Sequence, residues 1–478
     1  MRLIMICLIF CIVEFGCAPE QECCQEEDGG QLDIKPDKEK DLGERVCMPG
    51  TERCRDGIHY RCSEDGSSWI EEPCPGSTTC TASEPRCHCP DDNPLIVRGR
   101  VKFPNGLDPV SKALVYVYKD FTIPPRPGRC VECVDPNVEY VAYTFTEPDG
   151  SFELKDLPFG SYPLIIEKGL FRRVVDLNIT DCGIYELPEE DTRLPKDYSE
   201  GDIPKIAVIT GYWDHMEEVL AKIGLAEVDS SGHIVWGTQK FDLYNGESSE
   251  RGSVFSGNAE DLLRDYGRLI TYDIVFINCG NYIEDELYFW GTGGILEDPQ
   301  IQENIRNYVK EGGRLYVTDL SYDFEEHALP KWIDFEGSID GFVDTPEDFD
   351  AAQVGVEGIT VQGIILDQDL SHWLNVIGVL QPDNTVPIRG FLEGWAVMKA
   401  VDTDDTGKVW VQGEVDYYYG SGELRPLTAT FEYGCGRVLY TSYHTVPEET
   451  SPELTPQERI LEYLILEIGV CLEEINVY

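Results

Sequence analysis

The chain has 478 residues, 42% of them hydrophobic, which is enough for two or three cores at roughly 150 residues each. Its 89 acidic and 38 basic side chains leave a formal net charge of −51. Such a surface repels nucleic acid and anionic lipid, which excludes a nucleic-acid-binding role. Eighteen cysteines call for an oxidising compartment or a metal.

The amino terminus decides between those two. Met1-Arg2 precedes an apolar run from Leu3 to Val13, too short for a bilayer span of roughly 20 helical residues. A short basic start and such a run read as a secretory signal over residues 1–16. The run ends in Glu14-Phe15-Gly16-Cys17, which resembles the lipobox of bacterial lipoproteins, with Glu14 where the family usually has an aliphatic residue. The resemblance implies acylation of Cys17 and anchoring to the membrane through lipid alone. Ala18, rather than Asp, after the cysteine implies the outer membrane or surface of a Gram-negative cell.

Residues 17–45 are rich in Glu, Asp, Lys and Gly, bury too little to offset ordering entropy, and read as an acidic flexible tether. In residues 46–90, Cys47, Cys54, Cys62, Cys74, Cys80, Cys87 and Cys89 stand among Gly, Pro and Ser. A segment so small needs covalent staples. Zinc ribbons would want paired Cys-x-x-Cys knuckles, which are missing here, so disulfides are expected. The number is odd, so one cysteine must pair outside the module or stay free. The string GIHYRCSEDGSSWIEEPCPG resembles small Cys-rich modules of bacterial surface lipoproteins and implies no chemistry.

Residues 94–185 read as all-β, with short β-branched and aromatic runs between Pro, Gly, Asp and Asn turns. Pro148-Asp149-Gly150 between Thr146 and Phe152 predicts a hairpin. Gly99-Arg100-Val101, Ala113 to Val117, Thr146 with Asp149-Gly150-Ser151-Phe152, and Leu157-Pro158 with Gly160 and Tyr162 resemble the carboxypeptidase regulatory-like (transthyretin-like) sandwich family. The resemblance implies a spacer or adhesion role. Cys130 and Cys133 lie in a Pro-rich insertion where a redox motif would want a strand-to-helix turn. Structural disulfides among Cys130, Cys133 and Cys182 are expected instead.

Residues 186–204, rich in Glu, Asp and Pro, read as a linker. Over 205–478 strands and helices alternate: IAVITG, KFDLY, DIVFINCG, RLYVTD and GRVLYTSYH as strands, with HMEEVLAKIG, AEDLLRDYGRLI, IQENIRNYVKEGG and PQERILEYLILEIG as helices. That order predicts an α/β domain with a mostly parallel sheet, interrupted by a β-rich insertion at about 331–433. Tyr272 to Phe276, Gly312-Gly313-Arg314 to Asp319, and Gly434 to His444 resemble the class I glutamine amidotransferase-like fold, nearest its trehalose-utilisation-protein-like branch.

That family places a nucleophilic Cys in GxCxG and a His-x-Glu pair near its end. Here Cys279 lacks both flanking glycines, and His444 is followed by Glu448 at spacing four. Cys279, His444 and Glu448 therefore supply a triad's residue types without its motifs. A second grouping is topological. Strand ends of an open parallel sheet converge on one crevice, which would gather Trp213, His215, Cys279, Asn281, Asp319, Tyr322 and His444, with Asp319 otherwise a helix N-cap. Asp402 to Gly407 resembles the start of an EF-hand loop but lacks the later ligands, and reads as a turn between strands. No metal and no cofactor is called for. The expectation is a lipid-anchored envelope protein that binds a protein or glycan, the alternative being a hydrolase or amidase acting on envelope glycan or peptide.

Overall fold

The computed structural model describes residues 45–126, 128–130, 136–247, 254–280, 295–445 and 451–470. The signal, Cys17 and most of the tether lie outside the described residues, as do Cys133, Asn281 and Glu448.

The Cys-rich module is a three-stranded antiparallel sheet of β1 (Glu52–Arg55), β2 (Ile58–Cys62) and β3 (Trp69–Glu72). Its few buried side chains include Cys47, Cys62 and Cys80, so the half-cystines supply much of its core. Three bridges close it: Cys47–Cys62, Cys54–Cys80 and Cys74–Cys87. The seventh cysteine leaves the module, since Cys89 pairs with Cys182 at the end of the sandwich. Beside that bridge, Ser77 N donates to Asp181 Oδ1 at 2.7 Å, so the module is clamped to its neighbour.

The sandwich comprises β4 (Ile96–Arg100), β5 (Leu114–Tyr118), a turn of helix α1 (Pro136–Glu139), β6 (Tyr140–Phe145), β7 (Ser151–Leu154), β8 (Gly160–Lys168), β9 (Phe171–Ile179), β10 (Ile184–Glu186), α2 (Glu189–Thr192) and β11 (Gly201–Asp202). Its sheets run β10-β4-β7 and β11-β9-β8-β5-β6. Alternate residues such as Val97, Val115, Val117, Phe152, Leu164, Ile166 and Leu177 point into one core, as a period of two requires.

Three expectations are corrected here. The turn at Pro148-Asp149-Gly150 forms, with Gly150 at φ 77°, but β6 pairs with β5 and β7 with β4, so it crosses between sheets and closes no hairpin. Residues 186–204 are not a linker. β11 extends the sandwich by pairing with β9, Leu194 and Ile203 are buried, and Arg193 is held by Glu200 at 2.7 Å. The expected grouping of Cys130, Cys133 and Cys182 is not what forms, because Cys182 is bound to Cys89 and Cys130 pairs with Cys435, 305 residues away. The Pro-rich insertion is thereby fastened to the turn that precedes the last sheet strand. Arg129 reinforces the contact by donating from Nη2 to Tyr272 O at 2.7 Å.

The remainder is built on a ten-stranded sheet in the order β14-β13-β12-β15-β16-β23-β22-β21-β18-β19. Its first half holds β12 (Ile206–Ile209), β13 (Asp242–Asn245), β14 (Phe255–Asn258), β15 (Ile274–Ile277) and β16 (Arg314–Thr318). Helices α3 (Met216–Leu220), α4 (Ala259–Leu263), α5 (Tyr266–Leu269), α6 (Pro299–Lys310) and α7 (Tyr322–Glu326) lie between or after these strands. The segment AEDLLRDYGRLI forms two short helices, because Asp265 stops the first and caps the second through Arg268 N. The second half adds β17 (Ile333–Phe335), β18 (Val361–Ile365), α8 (Gln368–Val376), β19 (Thr385–Ile388), β20 (Met398–Val401), β21 (Lys408–Tyr417), β22 (Gly420–Tyr433), β23 (Gly436–Thr441) and α9 (Pro456–Glu467).

From β14 to β23 every pairing is parallel, and from β23 outward every pairing is antiparallel. The β-rich insertion is thus an extension of the sheet, with β17 and β20 forming a separate pair above it. The turn at 402–407 joins strands that belong to different sheets. Successive residues of each parallel strand go to opposite faces. Ala207, Ile209, Val275, Ile277, Leu315 and Val317 enter one core, while Ile206, Val208, Ile274, Phe276 and Tyr316 enter the other. The second core is continuous with the sandwich, through α8 and α9. There Trp373 Nε1 donates to Pro109 O at 2.7 Å, and the Lys168–Glu467 and Arg459–Asp108 pairs close the seam. Sandwich and α/β unit are therefore one packed body.

Candidate functional site

The register of the parallel strands sets the site. Ile209 pairs with Ile277, Ile277 with Val317, and Val317 with Tyr440, so the carboxyl ends of β12, β15, β16 and β23 lie side by side. Cys279 and Asp319 each follow two residues beyond that row, and His444 four beyond it.

Asp319 stands at a sharp strand-to-helix turn. Its φ is 42°, a left-handed conformation rare for a residue with a Cβ, and it opens a 3₁₀ turn that runs into α7. The expectation that it caps a helix is corrected, because Thr318 occupies the cap position and Asp319 turns its carboxylate inward. Oδ1 accepts from the backbone N of Ala396, in the insertion, at 2.6 Å. Oδ2 lies 2.9 Å from His444 Nε2 and 4.0 Å from Cys279 Sγ. His444 Nδ1 faces Gly390 O at 3.3 Å, and Gln457 holds the His444 carbonyl at 2.6 Å. All three side chains are sealed, Cys279 at 0%, Asp319 at 1% and His444 at 2% exposure.

The third member of the cluster is thus Asp319, from a neighbouring strand end; Glu448 lies outside the described residues. The carboxylate of Asp214, between Trp213 and His215, ties the same strand ends together. It accepts from Thr318 Oγ1 at 2.7 Å, Thr445 N at 2.9 Å and Thr445 Oγ1 at 2.6 Å. Two close approaches demand glycine. A Cβ on Gly211 would lie 2.2 Å from Cys279 O, and one on Gly280, at φ 99°, would lie 2.5 Å from the Trp213 ring.

The other expected crevice residues fall elsewhere. His215 is half-buried and contacts Glu217 at 3.3 Å, and Glu217 also accepts from Asn278 Nδ2 at 2.8 Å. Trp213 is half-buried beside exposed Tyr212, ring centroids 6.0 Å apart. Tyr322 belongs to the core: it packs on Phe335 at 4.8 Å and its hydroxyl accepts from Ala352 N at 3.2 Å. The expected grouping thus resolves into a closed Cys–Asp–His cluster with an aromatic pair and a second histidine at separate positions.

Protonation follows from burial and charge. Burial lifts the Cys279 thiol to about 11, with His444 pulling the other way. Burial opposes charge on His444, but Cys279 and Asp319 outweigh it and hold the imidazole protonated well above its ordinary range. A thiol raised by burial is a weak nucleophile at neutral pH. His215 is likewise raised to about 9; burial opposes its charge and Glu217 overrides it. Next to the cluster, α7 buries Asp323, Glu325 and Glu326, all shifted upward, chiefly by loss of water. Nothing in the string YDFEEH marks those carboxyls as interior.

These features define a disulfide-braced α/β sheet protein with a closed polar cluster at its strand ends. No known family's sequence pattern matches the chain, and no characterised protein matches it in sequence. Among solved structures it is similar to a cytoplasmic protein from Salmonella typhimurium, at 13% identity and TM-score 0.30, over 56% of this chain and 99% of that one. A ThuA-like protein from Parabacteroides merdae matches at 16% identity and TM-score 0.32, over 57% and 92%. PurLQS from Thermotoga maritima matches at 11% and 0.31, over 55% and 97%. These likenesses concern fold, and no function follows from them.

Proposed function

We propose that this is an exported, lipid-anchored envelope protein that binds a protein or glycan without covalent chemistry. The observation that carries the reading is the burial of Cys279, Asp319 and His444, each at most 2% exposed, so that this cluster presents no nucleophile–base pair to solvent. Five disulfides among the described residues support export, because such bridges persist in oxidising compartments. Gly16-Cys17 after a short apolar run supports the anchor, and the transthyretin-like and amidotransferase-like resemblances support a rigid display body. The binding surface is assigned to the strand-end rim at Tyr212 and Trp213, where aromatic faces suit sugar rings or apolar side chains.

Convergence of a Cys, a His and an Asp favours a second reading, a hydrolase whose cluster opens on binding. One experiment separates the two. The purified chain is incubated with peptidoglycan fragments, and both retention and released products are measured. Retention without product, weakened at least tenfold in Trp213→Ala, supports binding. Product formation lost in Cys279→Ala establishes the hydrolase and overturns the proposal.

A further inference from the structure

We propose that Cys279, Asp319 and His444 form a site for one divalent transition-metal ion of the zinc class. Each residue offers one donor atom, and all three donors lie within 4.8 Å of one another. Tetrahedral zinc, with bonds of about 2.0–2.3 Å, spaces its ligand atoms roughly 3.3–3.8 Å apart. The observed separations, 2.9 Å for Nε2–Oδ2 and 4.0 Å for Sγ–Oδ2, bracket that range.

The orientation of the donors is the second observation. His444 Nε2 is buried and makes no hydrogen bond of acceptable angle, although the Asp319 carboxylate stands 2.9 Å away. A ring nitrogen aimed beside its neighbour, rather than at it, suits a shared third atom. The opposite nitrogen faces the Gly390 carbonyl at 3.3 Å, an arrangement that holds an imidazole with Nε2 free to coordinate. Asp319 is similarly organised: Ala396 N occupies Oδ1 and leaves Oδ2 for the ion. Its left-handed backbone holds the carboxylate over the ends of β15 and β23.

The ligand types select the metal. A thiolate, an imidazole and a carboxylate suit zinc, cobalt or nickel better than calcium or magnesium, which want oxygen alone. Charge balances as well. A dication held by a thiolate, a neutral imidazole and a carboxylate leaves the buried cluster without net charge. Cys279 is also the one cysteine among the described residues that is outside a disulfide, so a thiolate remains for the ion in an oxidising compartment. Because the ligands are sealed, capture accompanies folding.

The test uses the full chain produced in an oxidising compartment with zinc or cobalt supplied during expression. Elemental analysis is expected to return about one equivalent per chain. The cobalt form is expected to show tetrahedral visible bands and a thiolate-to-cobalt charge-transfer band. Cys279→Ser should abolish the charge-transfer band, and Asp319→Asn should lower metal content at least fivefold. Metal at background in wild type, cobalt without a thiolate band, or full metal content in both variants overturns the proposal. The wild-type spectrum decides the matter even if a variant fails to fold.

Discussion

The Cys130–Cys435 bridge offers the most quantitative test of how this body is held together. It links positions 305 residues apart, and chain-entropy arithmetic for a loop of that size gives a ceiling of about 6 kcal/mol. The folded contact does not depend on the bond. Arg129 Nη2 donates to Tyr272 O at 2.7 Å, and Arg314 Nη1 donates to Arg129 O at 3.1 Å. Removing the sulfurs should therefore leave the native contact in place and act on the unfolded chain, with a measured loss of about 2–5 kcal/mol. The perturbation is Cys130→Ala with Cys435→Ala, read as the midpoint of guanidinium unfolding by tryptophan fluorescence, with the wild-type bridge verified by peptide mass spectrometry. A lower midpoint with unchanged native far-ultraviolet dichroism is expected. An unchanged midpoint, or a wild-type protein lacking the bridge, would refute the reasoning.

Reduction should open residues 46–90 to protease while the α/β unit resists, since half-cystines supply much of the small module's core; equal cleavage of both regions would contradict this. His215, raised from 6.5 to about 9, lends stability that is complete below pH 6.5 and lost as pH rises to 9, about 3 kcal/mol in all. His215→Gln should flatten the fall in unfolding midpoint across that window, and an unaltered slope would count against the Glu217 pairing. Glu325 is buried with both carboxyl oxygens lacking a hydrogen bond, and its raised pKa means the fold prefers it protonated, so its contribution worsens as pH climbs above the unfolded value. Glu325→Gln should stabilise the protein by about 1–3 kcal/mol at pH 8 and by much less at pH 4; equal effects at both would exclude a charge-based cost.

Local pattern carried the elements, and long-range pairing escaped it. IAVITG and RLYVTD read as buried strands because nearly every residue faces a core, and β12 and β16 occupy them. The turn at Asp149-Gly150 was legible as a turn, but which sheet received each arm depended on partners dozens of residues away. Charge density made 186–204 read as a linker, whereas Leu194 and Ile203 within it pack fully into the body. The site shows the same division. Topology alone gathered Cys279, Asp319 and His444 at one strand-end row. Glu448 stands at the wrong spacing for the family's motif, and the carboxylate beside His444 comes from Asp319, at its left-handed turn. Closure by Gly390 and Ala396 was not legible, since they come from the insertion, whose packing leaves no periodic trace.

The measurement that bears most directly on a non-catalytic reading is alkylation of Cys279 in the native protein. Iodoacetamide is applied at pH 8, with and without chelator, and modification of the Cys279 peptide is followed by mass spectrometry against a guanidinium-unfolded control. A sealed Cys279 should stay unmodified for hours in both native samples and react fully once unfolded. Complete modification of native Cys279 within minutes, with a reactivity midpoint near neutral pH that His444→Ala removes, would mark an activated nucleophile and contradict the account.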